Sequence, residues 1–598
     1  MGQFDTSSID PGALMRCSQA LLTGLAAGFA IGTSVFAQEV QQPMRGPVLE
    51  GGMLVYPEGA DIPRSLTPAE REFMELNPRV TDPFTDRIGG ARPPGPIACP
   101  GEYAPAQAIL MSWDGSAQQN NILATMCRHI TTTGNADAYV VVDSASEQTS
   151  ASTTISNAGA NMSRVRFFVR VTDSIWIRDY GPRFVYIGTR NAPGQGAVRG
   201  IVDHEYNRPR PNDDAFPTWF GPFGFASKKF GVYTLGMVHG GGNYHLDSVG
   251  RSFSTQLIGN ENPSLLQSEI VSTWHDFQNL NTTIMPAFPT SVDATQHIDM
   301  WMQIISDNRV IISDWPNNVG STQDVICDNA AVQLASMGYT VFRMPARSIG
   351  GVHYTYANMV LCNGLVLLPT YSNSTMTAAG HNAQALAAAQ LAFDFDGNGT
   401  SDKTIVQVTS DALASSAGVM HCIMMHVPAH SGAAGVNGQV PTAHVSTLNS
   451  AATLNPGQNF PLTWLTDDDK NIGTIDIHFS ANGGVSFPLA VASSIADSGT
   501  FNWIVPNHPG AKARVRVTVR DLDGNSGTDI NDINFTISGT PCPADLNLDG
   551  QVDDIDFVTF ASAYDEFTSP LGDFNDDGFT DDADFVLFAG AYDSFVCP

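Results

Sequence analysis

The chain has 598 residues, 42 % of them hydrophobic and 15 % charged, so it is too long for one domain and too apolar to be disordered. Its net charge of −30 excludes a nucleic-acid partner, whose phosphates it would repel, and suits cationic substrates and calcium. About half of that charge is local, because residues 541–598 carry fourteen acidic side chains and no Lys or Arg.

Arg16 precedes the apolar run Ala20–Ile31, and Val35-Phe36-Ala37 gives a small-x-small cleavage pattern before Gln38. Residues 1–37 therefore read as a signal peptide of a secreted, periplasmic or cell-surface protein, with translation starting at Met1 or at Met15. The apolar run is short for a membrane span, and no later stretch is long enough. Residues 38–98 are rich in Pro, Gly and Arg and read as an export linker or pro-segment, a poor core. They contain one helix signal, Thr67–Leu76, with Thr67 as N-cap and Pro68 at the first helical position.

Over residues 99–435, apolar strands (Ala106–Met111, Ala138–Val142, Arg309–Ser313) alternate with helical stretches (Ala117–Ile130, Asp324–Met337), which predicts an α/β domain. Polar clusters punctuate it. Trp176 and Asp179 follow the strand-like Arg164–Val171, which predicts an acid at a strand end beside an aromatic wall, suited to a planar guanidinium. Tyr206–Asp214 holds Arg208 and Arg210, with Asp213 and Asp214 as the neighbours that would neutralise them on a surface. His297 and Asp299, two apart, would share a face of one strand. Cys422 lies in Gly418–Pro428, and Asn358 stands between these last two clusters. A thiolate nucleophile, a histidine acid and two guanidinium-binding carboxylates make a set able to open a C–N bond. The alternatives are a buried cysteine of no chemical role and a zinc site through His421, His426 and His430, which lacks CxxC or HExxH spacing.

WIRDYGP, YNRPRPNDD, HGGGNYHLDSVG (His239–Gly250), HID and the late HC occur in an order that resembles the agmatine deiminases and bacterial secreted peptidylarginine deiminases, over about Gly101–Pro428. The resemblance implies a five-bladed α/β propeller around a central site, needing no cofactor for catalysis. It implies Cys422 as nucleophile, His297 as general acid and then base, Asp179 and Asp299 as guanidinium ligands, Asn358 lining the thiol and Trp176 packing on the substrate. Arg208 and Arg210 resemble the pair that grips a peptide's C-terminal carboxylate, and two guanidiniums on Arg-Pro-Arg can bond one carboxylate. The expected activity is hydrolysis of peptidyl-arginine, foremost C-terminal arginine, to citrulline and ammonia. The alternatives are agmatine (to N-carbamoylputrescine) or free arginine as substrate, or a catalytically inert calcium-dependent scaffold. Ala294 and the segment after Cys422 depart from the family pattern.

Asp394, Asp396, Asn398 and Asp402 are spaced either as a calcium loop or as a solvated turn. Residues 441–539 show strand-like runs separated by Gly, Asn and Asp turns and no helix, which predicts an immunoglobulin-like β-sandwich. Residues 541–598 are a duplication. Asp545, Asn547, Asp549, Asp553 and Asp556 take positions 1, 3, 5, 9 and 12 of a calcium loop with Gly550 at 6. Asp573, Asn575, Asp577, Asp581 and Asp584 repeat the pattern around Gly578. Each loop runs into an apolar helix, and the unit resembles a type I dockerin, which implies a cohesin-like partner. Cys542 and Cys597 bracket this segment and could staple it, Cys17 belongs to the signal, and Cys99, Cys127, Cys327 and Cys362 are available to pair with open connectivity.

Overall fold

From Ile97 to Pro428 one unit recurs: two antiparallel strands, a helical crossover, and a strand parallel to the second. A computed structural model describes residues 46–57, 61–78, 91–188, 196–223, 230–540 and 542–594. The expected signal peptide, Cys17 and Cys597 lie outside these residues, as do residues 38–45, 58–60 and 79–90 of the expected linker. Among the described residues no helix is long and apolar enough to cross a membrane.

The hairpin of Arg183–Ile187 and Val198–Tyr206 is followed by parallel Gly231–His239. His245–Leu246 and Arg251–Thr255 are followed by Asn281–Met285. Met302–Ser306 and Arg309–Asp314 are followed by Thr340–Ile349, and Val360–Cys362 and Leu365–Thr370 by Thr404–Thr409. The fifth unit draws on both ends of the region. Met425–Pro428 pairs antiparallel with Ala106–Ser112, which carries Asp137–Val142 in parallel. The expected helices are crossovers, Ala117–Thr131 and Thr322–Ser336. Second strands such as Leu365–Thr370 are buried on both faces, which is why they read as continuous apolar runs and not as alternation.

The β-rich region contains a three-stranded sheet (Thr442–Val445, Asn459–Asp467, Thr500–Ile504) and a six-stranded sheet built around Ile472–Ser480 and Gly510–Asp521. Their inward side chains, Trp464, Ile475, Ile477, Phe479, Trp503, Val515, Val517 and Val519, form one core. In the terminal repeat the helices Asp554–Glu566 and Asp582–Tyr592 stack Phe560 on Phe588, with ring centroids 4.9 Å apart.

The cysteine pairing left open by the sequence does not occur. Cys99, Cys127, Cys327 and Cys362 form no disulfide; Cys127 and Cys362 are buried in one part of the apolar core and Cys327 and Cys99 in two others, where they pack as small hydrophobes. Cys542 is disulfide-bonded.

The region of residues 97–428 meets the sandwich through a fully buried ion pair. Arg199 Nε and Nη2 donate to Asp467 Oδ2 and Oδ1 at 2.6 and 2.9 Å. Burial alone would raise the Asp467 pKa, but Arg199 and His430 hold it well below the usual carboxylate range. Asp467→Ala leaves a buried guanidinium uncompensated and is expected to cost about 3–5 kcal/mol in denaturant unfolding, with no comparable loss for Asp523→Ala at the exposed Lys470 pair. Because the folded pKa is depressed, this contribution is complete above about pH 4 and is lost as the pH falls through the folded value. The wild-type and Asp467→Ala unfolding midpoints should therefore converge in acid.

Candidate active site

Five connections join the five units, and each delivers a short turn to one place. They carry the helical turn Ile177–Tyr180, the turn Gly241–Asn243, the 3-10 turn Ile298–Met300, Asn358, and the 3-10 turn Met420–Ile423. A circuit of hydrogen bonds ties them. Gly242 N donates to Asp179 Oδ1 (3.2 Å), Ile298 N to Asn243 Oδ1 (3.2 Å), Asn358 Nδ2 to the Asp299 carbonyl (3.0 Å), His421 N to Asn358 Oδ1 (3.0 Å), and Arg178 Nε to the His421 carbonyl (3.3 Å).

Two expectations change here. Asp179 sits on a one-turn helix instead of a strand end, because Gly181-Pro182 closes a turn directly after it. His297 and Asp299 are not on one strand. His297 precedes the 3-10 turn that holds Asp299, and that turn sends both side chains to the same point.

The point is occupied by a side chain that the sequence reading did not select. Arg64 is fully buried there. Its Nε and Nη2 donate to Asp179 Oδ2 and Oδ1 at 2.8 and 2.7 Å, and its Nη1 and Nη2 to Asp299 Oδ1 and Oδ2 at 3.2 and 3.1 Å. Nη1 lies 2.7 Å from Cys422 Sγ and Nη2 lies 2.7 Å from His297 Nδ1. A guanidinium only donates, so Nδ1 accepts here and the ring proton is on Nε2, which is buried without a hydrogen-bond partner. The segment around Arg64, expected to be a poor core, is instead buried at Ile62, Arg64, Thr67 and Glu70. Its helix, Pro68–Leu76, has the expected Thr67 N-cap, closed by a capping box with Glu70.

Electrostatics explain the fit. Burial would raise the pKa values of Asp179 and Asp299, but the Arg64 guanidinium, joined at Asp299 by His421, holds both well below the carboxylate range. Burial pushes the Cys422 thiol well up, the two carboxylates add to this, and Arg64 opposes it. A bound guanidinium therefore favours the thiolate that would attack it.

Around the thiol, Sγ is 3.4 Å from Asn358 Oδ1 and accepts from Val419 N at 3.3 Å. His421 Nδ1 meets Asp299 Oδ2 at 3.0 Å and its Nε2 meets Glu102 Oε2 at 2.8 Å, while Arg178 Nη1 donates to Glu102 Oε1 at 2.7 Å. His421 thus orients Asp299. His426 and His430 turn to the carbonyls of Leu361 and Val440, so the three histidines do not converge as a zinc site. Trp176 is buried and reaches the inserted segment through Nε1, 2.7 Å from the Ile62 carbonyl, in place of stacking on a guanidinium. Arg208 and Arg210 do not share one carboxylate. Arg208 Nε donates to the Arg64 carbonyl (3.2 Å), and Arg210 bonds Glu70 Oε1 (2.7 Å) and the Pro63 carbonyl (2.8 Å). Asp213 and Asp214 accept main-chain N–H groups of residues 173, 174 and 206 and leave this pair free for the segment.

Gly242 explains part of the HGGGN motif, to which the sequence reading gave no role. A Cβ there would lie 1.9 Å from Arg64 Nη2 and 2.7 Å from Asp179 Oδ1, so the guanidinium needs a bare backbone.

A family model, Porphyromonas-type peptidyl-arginine deiminase, matches residues 98–428, more than half of the sequence. The chain belongs to this family. Its members are hydrolases of guanidino C–N bonds. Solved structures similar to this deiminase include an agmatine deiminase of C. jejuni with substrate bound (15 % identity, TM-score 0.44, 56 % of this chain and 97 % of that one). Others are a putative arginine deiminase from Porphyromonas gingivalis (18 %, 0.46, 56 % and 98 %) and an agmatine deiminase of Enterococcus faecalis (18 %, 0.45, 56 % and 96 %).

Two variants test the geometry. Gly242→Ala displaces the guanidinium from both carboxylates and is expected to lower kcat/KM for a guanidine substrate by about 100-fold, the cost of a misplacement near 1 Å. His297→Ala is expected to lower kcat by about 100- to 10,000-fold with a smaller change in KM, the range for loss of a general acid–base. Initial-rate ammonia release checks both.

Proposed function

We propose that this deiminase is exported and converts peptidyl-arginine to citrulline through a covalent Cys422 intermediate. The observation that carries the reading is the treatment of the main chain around Arg64. Three successive carbonyls are each taken by a side chain: Ile62 by Trp176 (2.7 Å), Pro63 by Arg210 (2.8 Å) and Arg64 by Arg208 (3.2 Å). The Arg64 N–H donates to the Ser416 carbonyl at 2.9 Å. A peptide offers all these groups and agmatine offers none, so an amine substrate would leave the buried donors unpaired. Arg208 also meets the position where a C-terminal arginine carries its carboxylate, which adds charge to that hydrogen bond.

In this reading Asp179 and Asp299 fix the guanidinium plane, and Cys422 Sγ bonds to Cζ. His297 passes the thiol proton to Nη2, which leaves as ammonia. His297 then takes a proton from water, whose oxygen attacks Cζ. The Sγ–Cζ bond breaks and a ureido group and the free thiol result. The five sheets stand as the blades of the expected propeller. The Asp394–Asp402 loop and the terminal repeat stand as calcium sites. In the repeat the donors are all carboxylate or amide oxygens, and Gly550 and Gly578 turn the loops at φ 88° and 93°, which fits a hard cation. Asp553 and Asp581 also cap their helices. Val558, Val586 and Leu587 remain exposed there, a face for a cohesin-like partner.

Ureido product is to be measured from a peptide ending in Arg, the same peptide amidated, and agmatine, with Cys422→Ala as blank and calcium present. The expected order is free acid, then amide, then agmatine, and Arg208→Ala should erase the difference between the first two. Agmatine turned over best would overturn the peptide assignment.

A further inference from the structure

The Asp61–Glu70 segment is held as a substrate is held. Its arginine fills the guanidinium site, its three carbonyls and one N–H fill the main-chain contacts, and Glu70 covers Arg210 with both carboxylate oxygens. Tyr56 Oη reaches Glu70 at 3.1 Å and the Pro209 carbonyl at 2.8 Å, which fastens the segment from its other side. Arg64 thus meets the same groups that a substrate guanidinium would meet. The nucleophile lies against Nη1 and the proton carrier against Nη2, and both carboxylates are engaged.

From this geometry, and resting on the deiminase reading above, we propose that Arg64 is the first substrate of the chain that carries it, and that its conversion to citrulline opens the site to other peptides. Cys422 Sγ bonds to Arg64 Cζ. Nη2 departs as ammonia with the thiol proton delivered by His297. Water then displaces Sγ and returns the thiol, so that one water is consumed and one ammonium ion is released.

The product no longer matches its seat. Asp179 and Asp299 are almost fully excluded from solvent, and the cation between them is what offsets their burial. A neutral ureido group leaves two uncompensated carboxylates, which favours departure of the segment and entry of water or a new guanidinium. Before that step the same contacts exclude added peptides. The segment is thus a plug that is consumed by the activity it blocks.

The test uses full-length wild type, Cys422→Ala, Arg64→Lys and Arg64→Ala chains. Peptide mapping by mass spectrometry reads residue 64. Citrulline is expected in wild type and arginine in Cys422→Ala. Arginine should persist in Cys422→Ala after mixing with wild type, because the reaction runs within one chain. Cys422 labelling by a haloacetamidine is read in parallel. An ammonium in place of the guanidinium keeps the charge but cannot be deiminated. Arg64→Lys is therefore expected to label at least about tenfold more slowly than wild type, with Arg64→Ala as fast as wild type. Intact Arg64 in a wild-type chain that turns over added peptide overturns the proposal and leaves the deiminase reading standing. Citrulline at 64 without turnover of added peptide keeps the deiminase chemistry and overturns the claim that conversion opens the site to other peptides. Equal labelling of wild type and Arg64→Lys overturns the blocking role.

Discussion

Two carboxylates with no solvent set the terms for everything around them. Asp179 and Asp299 face one another across a space that a planar cation with several donors fills. A lone buried carboxylate costs several kcal/mol, so such a pair is sustained by a partner charge and by a rigid frame. The frame is the circuit of main-chain and amide hydrogen bonds that links the five connections. Orientation of Asp299 reaches further, through His421 to Glu102 and Arg178. Burial would raise the Glu102 pKa, yet Arg178 and His421 keep it well below the carboxylate range. The charges alternate outward from the guanidinium, and each one is fixed by the next.

The same arrangement bears on the thiol. Burial and the two acids push Cys422 well up, and the cation beside it opposes them.

Much of this was legible in the sequence. The strands near Ala106 and Arg309 and the helices that follow them were legible as alternating apolar strand and helix stretches, and the β-rich region as strand-like runs between Gly, Asn and Asp turns. Cys422, His297, Asp179, Asp299 and Asn358 were named from chemistry and motif, and the structure brings all five together. Local geometry was less legible. The turns holding Asp179 and His297–Asp299 depend on tertiary hydrogen bonds, and a two-residue spacing cannot tell a strand from a 3-10 turn. Arg64 was invisible for a plainer reason. It lies in a Pro- and Gly-rich stretch with no periodicity, and its burial comes from partners more than a hundred residues away. Gly242 was visible only as a motif letter, since what it must avoid is a side chain from that same stretch.

The strand Met425–Pro428 closes the sheet begun by Ala106–Ser112, and Cys422 lies just before it. This placement imposes an order of arrival during synthesis. The ribosome releases Arg64 first, then Asp179, His297 and Asp299, and the thiol last. A nascent chain therefore carries its cation and both carboxylates before it owns a nucleophile. Arg64, made before the rest of the site, is already at hand when the nucleophile docks, so the newborn chain meets an arginine of its own before any arginine of its surroundings.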